Sequence, residues 1–159
     1  QEHLFNGNAL NGVDAKGRLS IPAFIRTMIE RRSNEKSIIL GKHETDPCLI
    51  GYDAAHQAIL LQDLRTRRLR EEERGLDTTA HHSRARRAFG ITEVASYDSS
   101  GRIILPPMMR KLAQIEDTAL FVGLGDTFEI WSPKLALESK DEDLAALAAY
   151  RLEERGLAS

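Results

Sequence analysis

Two arginines hold the positions best suited to chemistry in this chain. Each directly follows a glycine and stands four residues after an aspartate: Asp14-Ala-Lys-Gly17-Arg18 and Asp98-Ser-Ser-Gly101-Arg102. A guanidinium at the exit of a tight turn can lie along phosphates, or fork onto O6 and N7 of a guanine. It can also be used structurally, because the aspartate can bond the backbone ahead of it and pair with the arginine four positions on. Arg26 or Arg110, from the segment after each turn, offers the same carboxylate a different partner. The structural and phosphate- or base-contacting uses do not exclude each other. The two copies differ in one useful respect. Lys16 in the first becomes Ser100 in the second, which makes the Lys16–Arg18 turn the more basic one and the better candidate for a primary contact.

The likeness of the turns extends over thirteen residues. Asp14, Gly17, Arg18, Pro22 and Arg26 recur as Asp98, Gly101, Arg102, Pro106 and Arg110, 84 positions later. Five identities in one register argue for an internal duplication. After each turn apolar residues alternate, Leu19 and Ile21 against Ile103 and Leu105, with the period of a half-buried strand. Pro22 and Pro106 suit the first turn of a helix, where a missing N–H is no loss. Phe24, Ile25, Met28 and Ile29 give the first helix one apolar stripe, ending near Arg32. Extended segments at residues 9–13 and 94–97 lead into the turns, and strands at 37–41, 48–52, 119–123 and 127–131 close the units. Each unit therefore runs strand, turn, strand, helix, strand, strand, with Tyr52 and Trp131 at equivalent ends.

These elements divide the chain into a first unit at residues 5–53, a helical linker at 54–92, a second unit at 93–133, and a C-terminal helix and tail at 134–159. The expected class is α+β, mainly β with flanking helices. In the linker, residues 54–75 read as a helix with Ile59, Leu60, Leu64 and Leu69 on its apolar side, and residues 84–89 as a shorter one. Eight arginines lie there (65, 67, 68, 70, 74, 84, 86 and 87), interleaved with Asp63, Glu71, Glu72, Glu73 and Asp77. Such a face can be solvated and laced with i,i+4 pairs, or it can contact phosphates. Residues 133–157 read as one Ala/Leu helix with acidic flanks, its end expected to be disordered.

Composition excludes several classes. A chain with 42% hydrophobic and 29% charged residues reads as soluble and globular, and no apolar run approaches the roughly 20 residues of a membrane span. Residues 1–4 replace an initiator methionine and read as a cloning remnant; the N-terminus lacks the basic and apolar regions of a signal peptide, so export is not expected. The single cysteine, Cys48, forbids an intrachain disulfide and fits a reducing cytoplasm. His43, Asp46 and Cys48 superficially suggest thiol catalysis, yet the apolar run after Cys48 points to a buried, structural thiol. His81-His82 has no second ligand group at a zinc spacing, and no Gly-rich phosphate loop is present. Paired Asp14 and Asp98 do not form a proton-sharing dyad, because the arginine after each stabilises the charged form. Neither catalysis, a cofactor nor a metal is expected. The net charge of −2 opposes nucleic-acid binding, but residues 14–32 are basic and residues 138–159 acidic, so the total does not decide the question.

With these residues in view, the chain resembles the MraZ family of bacterial transcriptional regulators, built from two units of the swapped-hairpin AbrB type. The resemblance rests on Asp14-Ala-Lys-Gly-Arg-Leu-Ser-Ile-Pro22, on Asp98-Ser-Ser-Gly-Arg-Ile-Ile-Leu-Pro106, and on Val122-Gly-Leu-Gly-Asp-Thr-Phe-Glu-Ile-Trp131. It implies a pseudo-twofold, AbrB-like barrel and subunits associated into a ring homo-oligomer. It also implies a cytoplasmic, nucleoid-associated regulator, expected to be a repressor, that binds double-stranded DNA at promoter repeats of the division and cell-wall gene cluster. DNA contact then falls to Arg18 first, with Lys16 and Ser20 beside it and Arg102 as the second-unit counterpart. Asp14, Gly17, Pro22, Arg26, Asp98, Gly101, Pro106 and Arg110 become the structural motif. Some positions depart from the usual pattern: residues 6–12 are rich in Asn and Gly, residues 43–47 replace a Gly-rich turn, and the second motif lacks a basic residue before Gly101. A competing reading is a protein-interaction or assembly module on the same fold, in which the repeated turns never meet DNA.

Overall fold

Pro22 and Pro106 end the strands that follow the two turns, because neither can donate to a strand ladder. Both have φ near −60° (−59° and −57°) and stand at the N-cap, one residue earlier than the sequence suggests. The helices they open end on left-handed residues, Asn34 (φ 54°) and Gln114 (φ 55°), whose N–H groups close the last turn.

The computed structural model describes residues 3–157, so of residues 1–4 the first two lie outside the described residues. The first half contains β1 (Asn8–Gly12), β2 (Arg18–Ser20), α1 (Ala23–Ser33), β3 (Ser37–Lys42) and β4 (Leu49–Tyr52). After α2 (Ala54–Glu73), α3 (Thr79–Ala85) and a π-helical turn (Arg86–Gly90), the second half supplies β5 (Thr92–Ser96), β6 (Arg102–Ile104), α4 (Pro107–Ala113), β7 (Thr118–Gly123) and β8 (Phe128–Trp131). Helices α5 (Pro133–Leu137) and α6 (Glu142–Glu154) follow.

The class is α+β. Six strands form one antiparallel sheet in the order β1-β7-β8-β4-β3-β5, and β2 pairs with β6 in a separate ribbon. Exchanging the halves (β1 for β5, β7 for β3, β8 for β4) reads the order backwards, as a pseudo-twofold arrangement requires. The sheet ends at β1 and β5, however, and does not close into the expected barrel.

One core lies between the ribbon, helices α1 and α4, and the sheet. It buries Leu19, Ile21, Ile25 and Ile29 from the first half with Ile103, Leu105, Met109 and Phe121 from the second. A smaller core on Leu10, Cys48, Leu120, Trp131 and Ala148 sits under α5 and α6. Strand β7 lies between the two cores, and β3 is buried on both faces as well (Ile39 6% exposed), so Ile38-Ile39-Leu40 and Ala119-Leu120-Phe121 are apolar without alternation.

Two helix expectations change. On α2 the inward residues are His56 and Leu64, whereas Ile59 and Leu69 are exposed, because only a narrow strip of the helix meets the body. The single helix read over residues 133–157 is two. Asp141 interrupts it, its Oδ1 accepting from the N–H groups of Asp143 (3.0 Å) and Leu144 (3.3 Å) as the N-cap of α6. Helix α6 then docks on β1: Arg151 Nε donates to Asn8 Oδ1 (2.6 Å) and Arg155 Nη1 to the Leu10 carbonyl (2.8 Å). The disorder expected at the end of that segment is not found: Leu157 N–H donates to the Leu152 carbonyl (2.8 Å) and closes the helix end.

Two strand glycines, Gly41 in β3 and Gly123 in β7, differ in surroundings. A Cβ on Gly123 would collide with the Phe5 carbonyl, while one on Gly41 would meet Thr92 Cγ2 at 3.3 Å. Gly123→Ala should cost roughly 1–3 kcal/mol in urea denaturation, as overpacking against backbone does, and Gly41→Ala clearly less.

Candidate nucleic-acid interface

Each turn is built around its aspartate. Asp14 Oδ1 accepts the N–H groups of Lys16 and Arg18, both at 2.9 Å, and Asp14 Oδ2 accepts Arg18 Nε at 2.6 Å. Asp98 repeats the pattern with Ser100 N–H (2.9 Å), Arg102 N–H (3.0 Å) and Arg102 Nη2 (3.2 Å). Gly17 and Gly101 both have φ 78°, the left-handed value that lets the chain reverse. The aspartates therefore pair with the arginine four residues on, not with Arg26 or Arg110. Arg26 Nε instead donates to the Ile21 carbonyl (2.9 Å), and its guanidinium covers Gly101 of the other turn. Arg110 caps the end of its own helix through the carbonyls of Ile115 (3.0 Å) and Glu116 (2.7 Å).

The turns are joined across the duplication. Ile21 N–H donates to the Gly101 carbonyl (2.8 Å), and Leu105 N–H to the Gly17 carbonyl (2.9 Å). These bonds extend the β2–β6 ladder, in which Arg18 lies opposite Ile104 and Ser20 opposite Arg102. Leu19, Ile21, Ile103 and Leu105 point into the core, so the period of two sends Arg18, Ser20, Arg102 and Ile104 outward. Lys16 is exposed at the turn beside them. All four residues that the resemblance assigns to contact thus lie on one ribbon face or its adjoining turn. Ile104, 57% exposed, was missed. It stands 84 positions after Ser20, so the repeat alone marks it as outward.

The two guanidiniums are held differently. Arg18 spends Nε on Asp14, and no hydrogen bond from its Nη1 or Nη2 occurs among the described residues. Arg102 spends Nη2 on Asp98, and its Nε is buried without a partner. Arg18 accordingly presents the freer outer edge. The backbone N–H and then the guanidinium of Arg18 hold the Asp14 carboxyl down to about 2, and Asp98 is lowered first by the N–H of Arg102.

A second cluster joins His43, Cys48 and Glu129, whose donor atoms lie within 4.8 Å of one another. His43 Nδ1 accepts the N–H groups of Thr45 (3.1 Å) and Asp46 (3.0 Å), which leaves the proton on Nε2, facing Glu129 Oε2 at 2.9 Å. Trp131 Nε1 donates to the other Glu129 oxygen (2.8 Å). Glu129 raises the imidazole's pKa, although the two donors on Nδ1 oppose a second proton there. A metal on Nε2 would have to displace the shared proton, and burial pushes the Cys48 thiol far up. The trio is a satisfied structural network, unsuited to a thiolate nucleophile.

A relative from Gluconacetobacter diazotrophicus, named transcriptional regulator MraZ, is 33% identical over 87% of this chain and 85% of its own length. The chain belongs to the MraZ family. The family model described as "MraZ protein, putative antitoxin-like" matches residues 88–148. Further MraZ relatives carrying the same name include those of Phocaeicola vulgatus (34% identity, 83% of this chain and 81% of that one) and Pseudomonas savastanoi pv. phaseolicola (33%, 91% and 90%). The MraZ name denotes a regulator of transcription, which is not an enzyme class.

The aspartate chemistry gives a pH expectation. Because the folded Asp14 value lies below the ordinary 3.8, its contribution is complete above the unfolded value and is lost as the pH falls through about 2. A carbon-13 carboxyl titration should place the Asp14 midpoint near 2. In Arg18→Gln it should rise only part of the way back, since the backbone N–H remains.

Proposed function

We propose that this chain is a DNA-binding transcriptional regulator that inserts the β2–β6 ribbon into the major groove, with Arg18 as the leading contact. The observation that carries the reading is the outward ribbon face, on which Arg18 and Arg102 are held by their aspartates with Lys16 beside them. A two-stranded ribbon fits a groove about 12 Å wide. Diagonal positions on such a pair are about 7–8 Å apart, close to two base steps of about 3.4 Å. Arg18, with its outer nitrogens free, is suited to a guanine edge. Lys16 supplies phosphate attraction, Ser20 lies beside the contact, and Arg102 is the second-unit counterpart. Asp14, Gly17, Pro22, Asp98, Gly101 and Pro106 form the frame, with Arg26 and Arg110 bracing it.

The relatives named as transcriptional regulators support the regulatory role. The finer reading is a repressor acting on tandem promoter repeats of the division and cell-wall gene cluster, as a nucleoid-associated ring in the cytoplasm. The pairing of each half's strands with the other's supports the swapped-hairpin architecture on which that ring is based. A ring also offsets the chain's net charge of −2, because contacts after the first become effectively intramolecular. No helix among the described residues is long and apolar enough to cross a membrane.

Arg18→Ala should abolish binding to DNA from just upstream of the gene in fluorescence anisotropy while leaving the oligomer unchanged by light scattering. Arg102→Ala should weaken it less. Lys16→Ala should reduce the slope of log affinity against log salt by about one. Wild-type affinity in Arg18→Ala would sink the assignment. A gel shift at two salt concentrations separates the assembly-module reading, which gives a salt-insensitive protein complex and no retention of that DNA.

A further inference from the structure

The outward face of the β2–β6 ribbon is made by Arg18, Ser20, Arg102 and Ile104. A shift of 84 positions exchanges Arg18 with Arg102, and Ser20 with Ile104. The arginines thus keep the pseudo-twofold, and the other two residues break it. The turns break it as well, with Lys16 in the first and Ser100 in the second. Both departures fall at one end of the ribbon: Lys16 lies in the turn that leads into Arg18, and Ile104 stands directly opposite Arg18. The other end carries Arg102 with Ser20 and Ser100 around it.

Register places Ile104 close against Arg18. The N–H and carbonyl of Arg18 both bond Asp14 (2.9 and 3.0 Å), not β6. Arg18 and Ile104 therefore form a non-hydrogen-bonded pair, the kind whose Cα atoms lie only about 4.5 Å apart and whose side chains are closer. A lone exposed isoleucine is ordinary on a protein surface. This one, 57% exposed, stands beside the guanidinium with the freer outer edge. Its chemistry is narrow, because it neither donates nor accepts a hydrogen bond. In the major groove only thymine presents a methyl group; the other bases present donors and acceptors. Covering those groups without pairing them is costly.

We infer that Ile104 packs on the methyl group of a thymine close to the guanine met by Arg18, so that this end of the ribbon selects both bases together. The contact rests on the reading of the ribbon as entering the major groove of DNA. Cross-strand Cβ atoms about 4.5–5.5 Å apart span one to two base steps of about 3.4 Å, which puts the thymine within about two steps of that guanine. Arg102, whose cross-strand neighbour is Ser20, makes no such selection.

The test is fluorescence anisotropy with the duplex from just upstream of the gene, made once with thymine and once with deoxyuridine throughout. The two duplexes differ only by that methyl group. The wild-type chain should bind the uracil duplex at least about threefold more weakly, the order expected for one buried methyl group. Ile104→Ser, which gives the second half the residue of the first, should bind both duplexes equally and keep the wild-type oligomer by light scattering. Uracil at single positions should locate the effect close to a guanine whose 7-deaza replacement also weakens binding. No binding of the thymine duplex by the wild-type chain sinks the DNA reading and this contact with it. Equal binding of both duplexes by the wild-type chain overturns the thymine contact alone. So does a uracil effect that persists in Ile104→Ser, which then belongs to DNA shape. A smaller oligomer in that variant also overturns it, by giving Ile104 to a contact between copies.

Discussion

The exchange of two backbone hydrogen bonds between the turns governs this fold. Gly17 and Gly101 each offer a carbonyl to the strand of the opposite half, at 2.9 and 2.8 Å. A ribbon with strands of three residues has little stability by itself. It persists because Leu19 and Ile103 anchor it in the common core, and because each aspartate fixes its turn by accepting two N–H groups. The same bonds decide what the surface can do. Once Leu19 and Ile103 face inward, Arg18 and Arg102 must face outward.

Much of this was legible in the sequence, for physical reasons. The duplicated residues are those whose roles are local: an aspartate for the turn, a glycine for positive φ, a proline to end the strand. Local chemistry leaves a local signature, so turn, strand and helix were readable in both halves. What escaped was long-range. The position of Arg26 over Gly101 depends on how the halves cross, and the motif alone allowed it to pair with Asp14. The open ends at β1 and β5 follow from strand order. The break at Asp141 was visible in principle, since an aspartate before Glu142 and Asp143 makes a strong N-cap, but the Ala/Leu pattern on both sides masked it.

Charge along the chain acquires a spatial meaning. The acidic C-terminal segment is a docked helix whose Arg151 and Arg155 bond β1, with Glu154 paired to Arg151 and Asp141 used as the N-cap. The linker arginines are partly spent on neighbours, Arg67 on Glu44, Arg68 on Glu72 and Arg84 on Glu71. The reading of that face as solvated and laced with i,i+4 pairs accounts for Arg68–Glu72 alone, since Arg67 reaches the loop at Glu44 and Arg84–Glu71 is a largely buried pair between α3 and α2. The ribbon cations are paired as well, but with carboxylates that orient them toward solvent without covering them.

The contact between Arg26 and Gly101 has a consequence for heredity. A Cβ at Gly101 would lie 2.7 Å from Arg26 Nε, whereas one at Gly17 would find its nearest neighbour, Arg110 Nη1, at 3.8 Å. Asparagine, which tolerates positive φ better than most residues, is thus an accessible replacement at position 17. At position 101 it becomes accessible only after Arg26 has moved or been lost. The two halves share one motif, yet substitutions at positions 26 and 101 are not independent of each other. A mutation in the first half sets which mutations the second can accept, and the order in which they arise matters.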